Sequence, residues 1–190
     1  MLTEDQMWEA VQRKDPAFDG RFFLGVTSTG IFCFPSCPAK TPKRENIRFF
    51  VSREAARAAG FRPCKRCRTD LPGGRAEYET GIIEQARAVA GAQLESVTPA
   101  SLARTVGLSP AYLGRLFRTH TGLTPDDFIR QRRAERAAEL LRTGDAAILD
   151  VAAAVGFEST SSFYAAFRRF LGASPGEYRQ QTEEQQDAIS

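Results

Sequence analysis

The sequence predicts an α+β protein in two unlike parts: a small α/β unit built around four cysteines, then an all-α unit with two helix-turn-helix motifs. Three observations carry this. All four cysteines lie between Cys33 and Cys67, in a stretch rich in Phe, Pro and Gly. Beyond about residue 76 the chain has no cysteine and becomes rich in Ala, Leu and Arg. Within that second part, SLARTVGLSPAYLGRLFRTHTGLTPDDF (101–128) resembles DVAAAVGFESTSSFYAAFRRFLGASPGEY (150–178). LPGGR (71–75) marks the boundary, because Pro and Gly-Gly oppose any regular element. The expected division is 1–75, then 76–180, then a polar, disordered tail over 181–190.

In chain order, TEDQMWEAVQRKD reads as a helix with Trp8 and Val11 on its inner face. Asp19-Gly20 is a turn signal. RFFLGVT and NIRFFV have the aromatic and β-branched content of short strands. Ser52 caps a short helix, REAARAAG, with Glu54 in its first turn and Gly60 just past its end. The core of so small a unit is thin, and a bound metal would add the missing stability.

The second part repeats. Leu102, Ala103, Val106 and Gly107 match Val151, Ala152, Val155 and Gly156. Phe117, Gly122, Pro125 and Phe128 match Phe167, Gly172, Pro175 and Tyr178. Each copy is a short helix, a Gly-containing turn and a second helix, with one extra residue in the second turn. Between the copies runs DDFIRQRRAERAAELLRTG, an amphipathic helix ending at Gly144. Ser109-Pro110 supplies an N-cap and a proline in the first helical position. The helix that follows offers Tyr112, Arg115 and Arg118 away from Leu113, Leu116 and Phe117. Its counterpart offers Thr160, Ser161, Ser162, Tyr164 and Arg168, with Phe163 and Phe167 turned inward. These are candidate DNA contacts. Arg118, Arg168 and Arg169 suit phosphate better than bases. A plain helical bundle would also place Leu and Phe at this spacing, but two turns in the same Gly register argue for more.

The formal charge is only +3, yet the basic residues are mostly arginine, the side chain suited to bidentate contact with phosphate and guanine. No run of about 18 apolar residues occurs, so no membrane span is expected. The N-terminus is acidic and amphipathic, unlike a signal peptide, which points to a cytoplasmic location. In a reducing compartment, two close cysteine pairs read as metal ligands rather than disulfides.

The pairs are Cys33-x3-Cys37 and Cys64-x2-Cys67, separated by 26 residues. Four thiolates brought together form the tetrahedron that one zinc ion prefers in a closed site. His120, the one histidine, lies in the other part and reads as an ordinary surface residue. A plain zinc staple is one outcome. Two features suggest a reagent as well. Lys40, Lys43, Arg44, Arg48, Arg53, Arg57, Arg62, Lys65, Arg66 and Arg68 face only Glu45, Glu54 and Asp70, a density that suggests a phosphate-binding surface. Four thiolates on one zinc carry a net charge of minus two, which keeps the sulfurs electron-rich.

TSTGIFCFPSCPAKTPKRENIRFF followed by AAGFRPCKRC closely resembles the zinc domain of the Ada family of DNA methylation-damage response proteins, over residues 1 to 72. GFESTSSFYAAFRRFLGASPGEYR and its surroundings, 78 to 180, resemble the AraC-type DNA-binding domain. The first resemblance implies single-turnover transfer of a methyl group from a backbone methylphosphotriester to Cys33, with Cys37, Cys64 and Cys67 as the remaining ligands. The second implies a recognition helix from each motif in successive major grooves. Together they imply double-stranded DNA and RNA polymerase as partners, promoter activation once methylated, and monomeric binding through two reading heads. Phe34 and Lys40 stand where many members have arginine. The 190 residues hold no fifth cysteine and no Pro-Cys-His-Arg motif, so the base repair of longer members is not expected. The alternatives are a zinc-stabilised AraC-type regulator without methyl transfer, and a zinc module that recruits a partner protein.

Overall fold

The computed structural model describes residues 2–187, in two compact units that divide after Gly81. The first unit opens with α1 (Glu4–Arg13), capped by Thr3 and Gln6 in a reciprocal pair and closed by Lys14 in the left-handed region. Strand β1 (Phe23–Val26) pairs antiparallel with both β2 (Ile31–Cys33) and β3 (Ile47–Phe50). A two-residue strand, β4 (Arg62–Pro63), lies parallel to β2 and completes the order β3-β1-β2-β4. Helix α2 (Arg53–Ala58) is capped by the Ser52 hydroxyl, which accepts from the Ala55 amide at 3.0 Å.

Phenylalanine builds this core. Phe22, Phe23 and Phe32 are buried, and Phe23 meets Phe32 edge to face at 5.9 Å. Each such side chain stabilises by about 1.5–3 kcal/mol through burial. Gly25 is needed because two rings meet over it: a Cβ there would lie 2.6 Å from Phe50 and 2.8 Å from Phe61. Trp8 is half-buried and Val11 buried, as the helical pattern of the N-terminal stretch predicts. Strands β2 and β4 escape a propensity reading because they are too short to alternate.

Helix α3 (Gly74–Ala92) starts at the second glycine of LPGGR and runs across the division. That Gly-Gly therefore opens a helix whose first turns belong to the first unit. In the second unit, α4 (Pro99–Thr105) and α5 (Pro110–Thr121) form one helix-turn-helix pair. After α6 (Pro125–Thr143), α7 (Ile148–Ala154) and α8 (Thr160–Leu171) form the other. The repeat seen in the sequence is physical. Gly107 and Gly156 turn with φ of 69° and 92°, and Gly122 and Gly172 end their helices at 74° and 79°. Helix α6 buries Phe128, Ile129, Ala134, Ala137, Ala138 and Leu141 along one stripe. Arg133 on α6 donates to the carbonyls of Leu94, Glu95 and Val97 at 2.9 to 3.2 Å, satisfying backbone acceptors just beyond α3.

The polar stretch expected to be disordered from 181 onward instead continues α9 (Pro175–Asp187). Low hydrophobicity argues against a core position, but an established helix extends through polar residues because propagation is far less costly than nucleation. Residues 188–190 lie outside the described residues.

Candidate metal centre and nucleic-acid surface

Two strands and the turns that follow them deliver the four cysteines. Cys33 ends β2. Cys37 follows a tight turn in which its amide donates to the Phe34 carbonyl at 3.1 Å. Asp19 fastens that turn, accepting from the Ser36 amide at 3.0 Å and from the Ser36 hydroxyl. Cys64 follows β4, and its amide donates to the Phe32 carbonyl at 3.0 Å. Cys67 closes a turn in which the Arg68 amide donates to the Cys64 carbonyl at 2.8 Å and Arg68 takes a left-handed φ of 54°.

The four sulfurs lie within 4.8 Å of one another, and all four residues are buried. A tetrahedron with zinc–sulfur bonds of about 2.3 Å has sulfur–sulfur edges of about 3.8 Å, so the donor set fits zinc. Protonation points the same way. Hydrogen bonding with Cys37, then with Cys64 and Cys67, pushes the Cys33 thiol far above its usual range. Hydrogen bonding with Cys33 pulls Cys64 far below that range and Cys37 down to about 7. Four sulfurs this close cannot all carry charge by themselves, and a cation is what lets them ionise together. The donor set therefore fits a zinc ion, which Cys33, Cys37, Cys64 and Cys67 would hold.

A cleft of about 300 Å³ reaches Cys33, Cys37 and Cys64 but not Cys67. Its walls are largely apolar, from Val11, Leu24, Val26, Ile31 and Pro35, with Lys40 and Arg66 also on the lining. A second open groove beside Cys64 is lined by Arg62, Lys65, Arg66 and Arg68.

The basic residues divide into two sets. Lys40, Lys43, Arg62, Lys65 and Arg66 are exposed. Lys43 lies 3.6 Å from Glu45, a solvated pair that holds it weakly. Arg44 is committed within the protein: it pairs with Glu4 at 2.7 Å and lies over Phe49 and Trp8. Arg53 turns inward, donating to the carbonyls of Thr69, Leu71 and Pro72 and lying over Phe23 and Phe34. Arg68 pairs with Asp70 at 2.9 Å and stacks on Tyr78. A single phosphate-binding face over the whole stretch is thus too broad a reading. Phe34 is buried against Phe23 and beside Gly74, where a Cβ would approach its ring to 2.8 Å. This chain uses that position for packing.

In the second unit, Arg115, Arg118, Thr160, Ser161 and Arg168 are exposed. Tyr112 is half-buried under the Arg115 guanidinium at 4.8 Å. Tyr164 is half-buried against Phe163. Ser162 turns its hydroxyl back to the Ser159 carbonyl at 2.8 Å, within the cap of α8. Arg169, read from sequence as suited to phosphate, pairs with Asp127 on α6 at 2.5 Å. Sequence reasoning missed Asp19, Arg53 and Thr69 as supports of the cysteine cage. Asp19 beside Gly20 carried only a turn signal, Arg53 was read with the basic surface, and Thr69 carried no signal.

The family described as the metal binding domain of Ada matches residues 6–70, and one described as a helix-turn-helix domain matches residues 102–181. The bifunctional transcriptional activator/DNA repair enzyme AdaA of Bacillus subtilis (strain 168) is 36% identical over 181 residues, which are 95% of this chain and 84% of that protein. The chain belongs to the Ada family. Another member, the bifunctional transcriptional activator/DNA repair enzyme Ada of Escherichia coli (strain K12), is 39% identical over 178 residues, covering 94% of this chain but 49% of that protein. The chain thus spans about half the length of that relative. Among solved structures, the methylated N-Ada/DNA complex aligns with a TM-score of 0.56 and 41% identity, over 70% of this chain and 99% of that one. Ada-family membership thus rests on both units at once. Among the described residues, no helix is long and apolar enough to cross a membrane.

Proposed function

We propose that the protein is a single-turnover acceptor of methyl groups from DNA methylphosphotriesters and that this event switches it into a transcription activator. The carrying observation is the cage of four buried sulfurs, three of which line an apolar cleft with Lys40 and Arg66 at its side. Bound zinc holds the four sulfurs as thiolates, leaving the centre with a net charge of minus two.

Cys33 is the acceptor in this reading. Its Sγ attacks the methyl carbon, the S–C bond forms as the C–O bond breaks, and the electron pair leaves on oxygen to restore the phosphodiester anion. No proton moves, because the attacking sulfur is already a thiolate. A methylated phosphate is neutral, so its approach is not repelled as an ordinary diester's would be. The apolar walls suit the methyl group, and Lys40 and Arg66 suit the anionic phosphates on either side. The thioether has no leaving path, so each chain acts once. Lys43, Arg62 and Lys65 extend the phosphate contacts. Tyr112, Arg115 and Arg118 serve the first major groove, and Thr160, Ser161, Ser162, Tyr164 and Arg168 the second. Arg44 joins them only if its pair with Glu4 opens.

Methylation removes one negative charge from the centre. At an effective dielectric of about 20, one unit charge about 4 Å from a phosphate corresponds to about 4 kcal/mol before screening. After screening, a tightening of about ten- to a few hundredfold is expected, since about 1.4 kcal/mol is tenfold. The activator then acts in the cytoplasm as a monomer that contacts RNA polymerase. One observation favours the rival reading, a zinc-stabilised regulator without methyl transfer: Cys33 is only 7% exposed.

The test is intact mass and peptide mapping after incubating zinc-loaded protein with DNA carrying methylphosphotriesters. One added methyl on the peptide holding Cys33 is expected. An unchanged mass, with zinc and DNA both bound, would favour the rival.

A further inference from the structure

The cysteine cage is assembled across a weak seam. Cys33 comes from β2 and Cys64 from the end of β4, and these strands pair over two residues only. The bonds across this seam include the Arg62 amide to the Gly30 carbonyl at 2.8 Å and the Cys64 amide to the Phe32 carbonyl at 3.0 Å. The bond from the Cys64 amide to the Phe32 carbonyl lies directly between the two ligand positions, and it helps set the spacing of two sulfurs that must meet one ion.

Thr69 sits on that bond. Among the described residues it is the one buried polar side chain, with no exposed surface. Its hydroxyl accepts from the Cys64 amide at 2.9 Å and donates to the Phe32 carbonyl at 3.0 Å. The Thr69 carbonyl in turn accepts from Arg53 Nε at 2.8 Å, which pins the residue in place. The hydroxyl thus bridges the same two groups that the ladder bond joins, one beside each of two ligands.

We propose that Thr69 is a positioning residue for the metal centre: its hydroxyl fixes the offset between Cys33 and Cys64 before metal arrives, and so sets metal affinity and ligand geometry. This rests on reading the four cysteines as a metal cage. Thr69 touches neither the metal nor the methyl group; it acts through the backbone of Phe32 and Cys64. Supports of this kind, one layer outside the ligands, typically carry about 10- to 100-fold in metal affinity.

Thr69→Val keeps the shape and removes the hydroxyl. The Cys64 amide and Phe32 carbonyl retain each other, so no buried backbone group loses every partner. Zinc affinity, measured by chelator competition on the full chain, is expected to fall about 10- to 100-fold. The visible spectrum of the cobalt-loaded protein, which reports ligand-field geometry, is expected to shift. Thr69→Ser keeps the hydroxyl and loses the methyl, and is expected to restore both. Wild-type affinity and spectrum in Thr69→Val would overturn the proposal. A Thr69→Ser variant with the affinity loss and spectral shift expected of Thr69→Val would also overturn it, whether or not the valine variant folds, because packing rather than the hydroxyl would then be the cause. Wild-type protein that takes up neither zinc nor cobalt would instead sink the metal-cage reading beneath it.

Discussion

Position by position, near-identical side chains in the cysteine segment have opposite fates. Arg53 and Lys40 are both basic residues near the cage. Arg53 donates to three backbone carbonyls, whereas Lys40 is exposed on the cleft. Arg53→Ala is therefore expected to destabilise the first unit by about 2 kcal/mol, the scale of a lost charged hydrogen bond, read from thermal unfolding of that unit. Lys40→Ala should leave stability alone and weaken DNA binding while lowering the slope of log affinity against log salt by about 1. An unchanged slope would remove Lys40 from the phosphate contacts. Cys64→Ala is expected to lose zinc and unfold the first unit. Zinc retained with an unchanged fold would contradict the four-ligand assignment.

Among the elements, the sheet and the helices have different weak points. Strand β1 passes beneath Phe50 and Phe61, and only Gly25 allows it. Gly25→Ala should cost about 1–3 kcal/mol of stability through overpacking, again read from thermal unfolding. In the second unit, α8 is fastened to the start of α6 by Arg169 and Asp127. Burial raises the Asp127 pKa, but hydrogen bonds from Arg169 and Thr124 outweigh it and hold the carboxyl below its ordinary range. A depressed carboxyl contributes stability that is present above the unfolded pKa and is lost as pH falls through the folded one. The second unit should therefore weaken on acidification below the ordinary carboxylate range. Arg169→Ala should show a smaller acid-side loss in a pH series of unfolding curves. The pair is largely exposed on the arginine side, so the effect is modest.

For the whole molecule, the proposed switch is electrostatic. Cys33 methylation should tighten promoter binding, and the gain should shrink as salt rises, because the Debye length is about 10 Å at 0.1 M and about 3 Å at 1 M. Equal promoter affinities for methylated and unmethylated protein at fixed low salt would remove the switch while leaving methyl transfer standing.

Local pattern was legible and long-range partnership was not. Two close cysteine pairs, two Gly-registered helix pairs, and the caps at Ser52 and Ser109 depend on spacing along the chain, so the sequence by itself determined the zinc cage, the twin motifs and the order of the units. The cage needs only four sulfurs near one another, and short spacing within each pair supplies half of that nearness. Tertiary structure decided which arginines remain available, that Phe34 packs inward, that the cleft reaches three sulfurs rather than four, and that Thr69 bridges the seam. Each of these depends on contacts between distant positions, such as Arg44 with Glu4 or Thr69 with Phe32. A hydrogen-bond partner many residues away leaves no periodic trace. Its choice is set by which backbone groups the fold leaves unsatisfied, and that is known only once the chain has closed on itself.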